Sequence, residues 1–128
     1  MRAYLAQALD AEERIRSRME QIGRIRALHA RGMRTLPGDE TGGEILRSLR
    51  EMEADLLRQV EYWRSVKQEV TDVIESIGKE SHRRVLTYRY LCGWDWPRIA
   101  RRMHYSMDRV WHLHAEAVRA LKHERGSD

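Results

Sequence analysis

From Glu44 to Ile77 the chain runs for 34 residues without a glycine or a proline. Positions 45, 49, 52, 56, 59, 63, 66, 70, 73 and 77 alternate steps of four and three, and nine of the ten are apolar, Gln59 being the exception. That spacing lays one stripe along an α-helix and matches a heptad seam. At 1.5 Å per residue such a helix is about 51 Å long. A first helix is expected from about Ala3 to Ala30, where Leu5, Ala8, Ile15, Met19 and Ile22 fall on one face and Leu9, Ile25 and Leu28 widen it. Between the two, residues 34–43 hold Pro37 and three glycines and read as a loop. Two long amphipathic helices joined by a short loop most simply fold back as an antiparallel, coiled-coil-like hairpin over residues 1–78. Nine apolar seam positions exceed what one hairpin partner needs, so the arm is expected to make a homo-oligomer or to hold another protein.

Strand signals are missing. The chain has no Phe and no sustained period-two alternation, so the fold class is all-α. At 128 residues it suits one ordinary domain, or a small domain with a helical arm. No apolar run approaches the roughly 20 residues a bilayer requires, so no membrane partner is expected. The opening Met-Arg-Ala-Tyr-Leu lacks the apolar stretch of a signal peptide, and the single cysteine, Cys92, cannot form an internal disulfide. Both features point to a reducing cytoplasm.

Charge divides the chain unevenly. Residues 1–78 carry 13 basic and 14 acidic side chains, whereas residues 79–128 carry 11 basic and 6 acidic and hold five of the six histidines. A basic segment of that kind suits phosphate binding, since each Lys or Arg that displaces a condensed counterion adds affinity. Within it, Ser81 is expected to cap a helix bearing Val85, Leu86, Tyr88, Leu91 and Cys92, which Gly93 ends. Asp95 then sits at an N-cap position, with Pro97 in the first turn of a short helix. His104, Tyr105 and Ser106 separate that helix from a last one of about 17 residues that Ser106 can cap. Short helix, three-residue turn and longer helix are the grammar of a helix-turn-helix, placing a DNA-binding domain at 79–128.

The last helix would dock by Val110, Leu113, Ala117 and Leu121, leaving Asp108, Arg109, His112, Glu116 and Arg119 outside. Double-stranded DNA is the expected partner. Ser106, Met107, Asp108, Arg109 and His112, at the N-terminal end of the helix, are the candidates to meet base edges in a major groove. Arg98, Arg101 and Arg102 on the preceding helix are placed for phosphates, with Arg83 and Arg84 as further candidates.

The stretch R-Y-L-C-G-W-D-W-P-R-I-A-R-R-M-H-Y-S, followed by V-W-H-L-H-A-E-A-V, resembles small phage and prophage proteins with a sigma-factor region-4-like helix-turn-helix. Arg89-Tyr90-Leu91, Trp96, Ile99-Ala100, Tyr105-Ser106 and Leu113-His114 carry the likeness, and Tyr4-Leu5 ahead of a helical arm extends it over most of the chain. It implies a transcription regulator of the ArpU and RinA type, acting in the cytoplasm of a bacterial host, with RNA polymerase as a candidate partner of the arm. Where the family carries a turn glycine this chain has His104, which must then accept a left-handed backbone. Pro97 and Arg98 stand where acidic residues are common, which removes a capping-box partner. Two other functions share the architecture: a DNA-packaging accessory of small-terminase type and a sigma-like protein-binding adaptor.

Other chemistry finds little support. His112 and His114 are two apart on a helix and point about 200° away from each other, and there is no CxxC or HxxxH pair, so no metal or cofactor is expected. His114 falls near the docking stripe and is expected at the edge of the core. Trp63, Trp94, Trp96 and Trp111 are expected as packing anchors rather than a base-stacking set. No phosphate loop, nucleophile elbow or metalloprotease helix occurs, so the protein is not expected to be an enzyme.

Overall fold

A computed structural model describes residues 1–125. Every regular element among them is helical: α1 (Arg2–Thr35), α2 (Glu40–Glu75), α3 (Glu80–Leu86), α4 (Trp96–Met103) and α5 (Met107–Glu124), with a π-helical turn, Thr87–Leu91, extending α3. No helix among the described residues is long and apolar enough to cross a membrane. The chain divides into two compact units, one of residues 11–65 and one of residues 1–10 with 66–128. We call them the hairpin unit and the terminal unit. The division differs from the boundary expected at residue 78, because Leu5, Ala8, Val70, Val73, Ile74 and Ile77 share a core with the C-terminal helices.

In the hairpin unit the two long helices run antiparallel. Arg18 Nε donates to Gln59 Oε1 at 3.0 Å, Arg26 pairs with Glu53 at 3.3 Å, and the Arg14 guanidinium lies 4.6 Å from the Trp63 ring centroid. The loop is shorter than expected, spanning residues 36–39 rather than 34–43. Asp39 is the reason: its Oδ1 accepts from the Gly42 amide at 3.0 Å and starts α2 there. A Cβ on Gly42 would lie 2.0 Å from the Pro37 carbonyl oxygen, so this close turn requires glycine.

The packed seam differs from the expected one in half its positions. On α1 it follows 11, 15, 18, 22, 25, 29 and 32, and on α2 it follows 42, 46, 49, 53, 56, 60 and 63. Ile22, Ile25, Leu56 and Val60 form its buried centre, with Ile15 and Leu49 packed against them. Positions 49, 56 and 63 were expected, but 46, 53 and 60 replace 45, 52 and 59. Ile45 and Met52 are therefore 43% and 53% exposed, and Met19 and Leu28 of α1 are exposed as well. Apolar side chains flank Leu49 and Leu56 on both sides, so hydropathy alone could not choose between the two rows.

The terminal unit has one contiguous core. Val85, Leu86 and Tyr90 meet Ile99, Ala100 and Met103 of α4 and Val110, Leu113, Ala117 and Leu121 of α5. Ser81 does not cap α3. Lys79 holds the N-cap position without a side-chain bond, and Arg83 Nη1 donates to the Ile77 carbonyl at 2.7 Å. The π turn widens the helix by one residue, with the Cys92 amide donating to the Thr87 carbonyl at 3.0 Å. Gly93, at φ 71°, then ends the segment in the left-handed region.

Candidate nucleic-acid interface

Two caps set the geometry of residues 95–124. Asp95 Oδ1 accepts from the Arg98 amide at 3.0 Å, fixing the start of α4, with Pro97 in its first turn. Ser106 Oγ accepts from the Arg109 amide at 3.1 Å and fixes the start of α5. Between them His104 takes φ 60° and ψ 39°, the left-handed conformation its position demands. The Tyr105 amide reaches back to the Ala100 carbonyl at 3.0 Å, closing α4 in a Schellman motif.

The buried side of α4 holds Ile99, Ala100 and Met103, which leaves Arg98, Arg101 and Arg102 exposed. On α5 the buried stripe is Val110, Leu113, His114, Ala117 and Leu121. Asp108, Arg109 and His112 are exposed. Ser106 is exposed too, although its oxygen is engaged by the cap. Met107 is half-buried and packs against the core, so only part of it is open to a ligand.

Most of the exposed cations are held in place. The Arg98 guanidinium sits 4.0 Å from the Trp94 centroid, and Trp94 stacks on Tyr88 at 4.6 Å with the rings 5° from parallel. Arg84 Nη2 donates to the Tyr88 hydroxyl at 3.3 Å. Hydrogen bonds from Arg84 and Arg102 hold the Tyr88 phenol below its ordinary pKa. One aromatic pair thus gathers Arg84, Arg98 and Arg102 from two elements. Arg109 lies 4.3 Å from the Tyr105 centroid, and His112 Nδ1 is 2.8 Å from the Asp108 carbonyl and 3.4 Å from its carboxylate. Pre-positioned guanidiniums lose less conformational freedom on meeting a phosphate oxygen. Beside Arg109 and His112 a cavity of about 250 Å³ is lined by Lys79, Ser81, Tyr105, Leu113 and Glu116.

Arg83, a further candidate for phosphate, donates to the Ile77 carbonyl and so ties α3 to the turn that follows α2. Trp94 and Trp96 pack as anchors: Arg89 covers Trp96 at 4.4 Å and donates to the Trp94 carbonyl, while the Trp96 ring meets His114 edge-on. Trp111 departs from that expectation. It is 52% exposed, on the flank of α5 one turn beyond Met107 and Asp108. Its 40° offset from Met107 on a helical wheel marks it as a flank position, but its apolar character argued for burial.

His114 lies deeper than its expected place at the core edge. Its Nε2 is 2.7 Å from the Tyr90 hydroxyl, and burial, with Arg2 and Arg89 nearby, lowers its pKa to about 4. It is therefore a neutral structural group at neutral pH. No set of three or more His, Cys, Asp or Glu side chains converges on a metal-sized site among the described residues.

No protein-family model, characterised protein or solved structure matches the chain.

Proposed function

We propose that this chain is a sequence-specific double-stranded-DNA-binding protein that uses α4, its turn and α5 as a sigma-region-4-like helix-turn-helix. The observation that carries the reading is the exposed N-terminal end of α5. Asp108, Arg109 and His112 stand clear there, beside the α4 face that carries Arg98, Arg101 and Arg102. A helix of this diameter fits a major groove, and a guanidinium in its first turn, such as that of Arg109, can bond the O6 and N7 edge of guanine. Arg84, Arg98, Arg101 and Arg102 hold backbone phosphates and set the register, while Arg109, Asp108, His112 and Trp111 meet the bases. The indole can take the apolar contact that a thymine methyl offers. The resemblance of residues 89–106 and 110–118 to phage and prophage regulators supports late-gene transcription as the process, in a bacterial cytoplasm. The helical hairpin is then free for a protein partner.

Fluorescence anisotropy of the purified chain, on labelled duplexes from its own gene neighbourhood, tests this reading. Site-selective binding is expected, and Arg109→Ala should cost about 10- to 100-fold at the cognate site while leaving binding to random duplex nearly unchanged. Sequence-blind or undetectable binding at low salt rejects it.

A further inference from the structure

We propose that the loop end of the hairpin unit is a homodimer surface, on which α1 of one copy lies against α2 of a second copy of this chain. Leu28, Ile45 and Met52 are 54%, 43% and 53% exposed there. Each sits one residue before a seam position: His29 on α1, and Leu46 and Glu53 on α2. Antiparallel helices are related by a pseudo-two-fold normal to their common plane, so equivalent heptad positions emerge on the same face. The three side chains therefore form one apolar patch crossing both helices. The α2 part of the patch belongs to a longer row, 45, 52, 59, 66 and 73. In the terminal unit that row is half-buried at Val66 and buried at Val73, whereas Ile45 and Met52 in the hairpin unit stay about half exposed.

Charge identifies what covers them. Residues 21–35 of α1 contain Arg24, Arg26, Arg31 and Arg34 and no acidic residue. Residues 40–55 of α2 contain Glu40, Glu44, Glu51, Glu53 and Asp55 against Arg47 and Arg50. Among the described residues Arg26–Glu53 is the one ion pair that links these two segments, and Arg24, Arg31, Glu44 and Glu51 remain exposed. A face that is basic along one edge and acidic along the other is complementary to itself. A two-fold axis along the hairpin's length sets each basic α1 over the partner's acidic α2, as an isologous interface requires. The available face is also large enough. The loop-end stretch, about 15 residues or 23 Å long and about 20 Å wide, offers about 450 Å² per copy. Continuing along about 25 residues of the hairpin face raises this to about 750 Å², close to the usual share of a stable interface.

Sedimentation equilibrium of the full chain, without DNA, tests this independently of the DNA-binding reading. A monomer–dimer equilibrium is expected at micromolar concentration. Leu28→Glu with Met52→Glu should weaken it at least about tenfold while helicity and Tm hold, since both positions are exposed. Arg24→Glu with Arg31→Glu should also weaken it, and adding Glu44→Arg with Glu51→Arg should restore it. A monomer at every concentration, an assembly larger than a dimer, or a dimer indifferent to both pairs of substitutions overturns the proposal. If the glutamate variant loses helicity, the charge reversal and its rescue decide the matter alone.

Discussion

His114 shows how one buried imidazole ties stability to pH. Its pKa of about 4 in the folded chain lies below the ordinary value of 6.5, because burial, then Arg2 and Arg89, disfavour the charged form. The unfolded chain therefore binds the proton more readily. The contribution is fully present above the unfolded pKa and is lost as pH falls from about 6.5 through about 4. The span corresponds to on the order of 3 kcal/mol. Thermal melts across that window should show Tm falling with pH in the wild type, and a shallower fall in His114→Phe, which keeps the ring and removes the titration. Equal slopes in the two proteins would refute the assignment. Tyr88 is a different kind of polar residue. It marks where guanidiniums gather, and the i,i+4 spacing of Arg84 and Tyr88 on one helix was the available signal for it.

The element that joins α4 to α5 is three residues long, and its conformation decides where α5 points. His104 occupies φ 60°, which costs a non-glycine residue roughly 1–2 kcal/mol, partly recovered because histidine has less freedom than glycine in the unfolded chain. His104→Gly should therefore raise stability by about 0.5–1 kcal/mol in chemical denaturation, with no loss of helicity. A destabilised glycine variant would mean that the His104 side chain contributes a contact of its own. The caps of α4 and α5 were readable beforehand, because Asp95 and Ser106 each precede an apolar-periodic segment by one residue. Ser81 carried the same signal and failed. Lys79 already starts α3, which puts Ser81 inside the first turn.

At the scale of the whole molecule, the asymmetry of charge sets how the proposed DNA binding should respond to salt. If Arg84, Arg98, Arg101 and Arg102 neutralise four phosphates, the logarithm of the binding constant should fall with log salt at a slope of about −3.6 for each copy bound. Arg102→Ala should reduce that slope by about 1 and weaken all duplexes alike, in contrast to the selective loss from Arg109→Ala. Parallel salt titrations of the two variants distinguish a phosphate contact from a base contact. A uniform loss in both would assign Arg109 to the backbone as well.

The helical class, the two long helices and the caps at Asp95 and Ser106 were legible in the chain. Heptad spacing and N-cap chemistry are local, and no strand-forming pattern competed with them. The same holds for the exposure of Arg98, Arg101, Arg102, Asp108, Arg109 and His112, which follows from helical periodicity once the apolar side of each helix is known. The register of the hairpin was not legible, because apolar side chains flank Leu49 and Leu56 on both sides and only contact with α1 selects Leu46 and Val60 over Ile45 and Met52. Nor was the gathering of Arg84, Arg98 and Arg102 by Tyr88 and Trp94, which depends on a π turn and a glycine in the left-handed region. Periodicity tells which side of a helix is apolar. Which neighbour covers that side, and which part stays open, is settled by packing between segments distant in the chain.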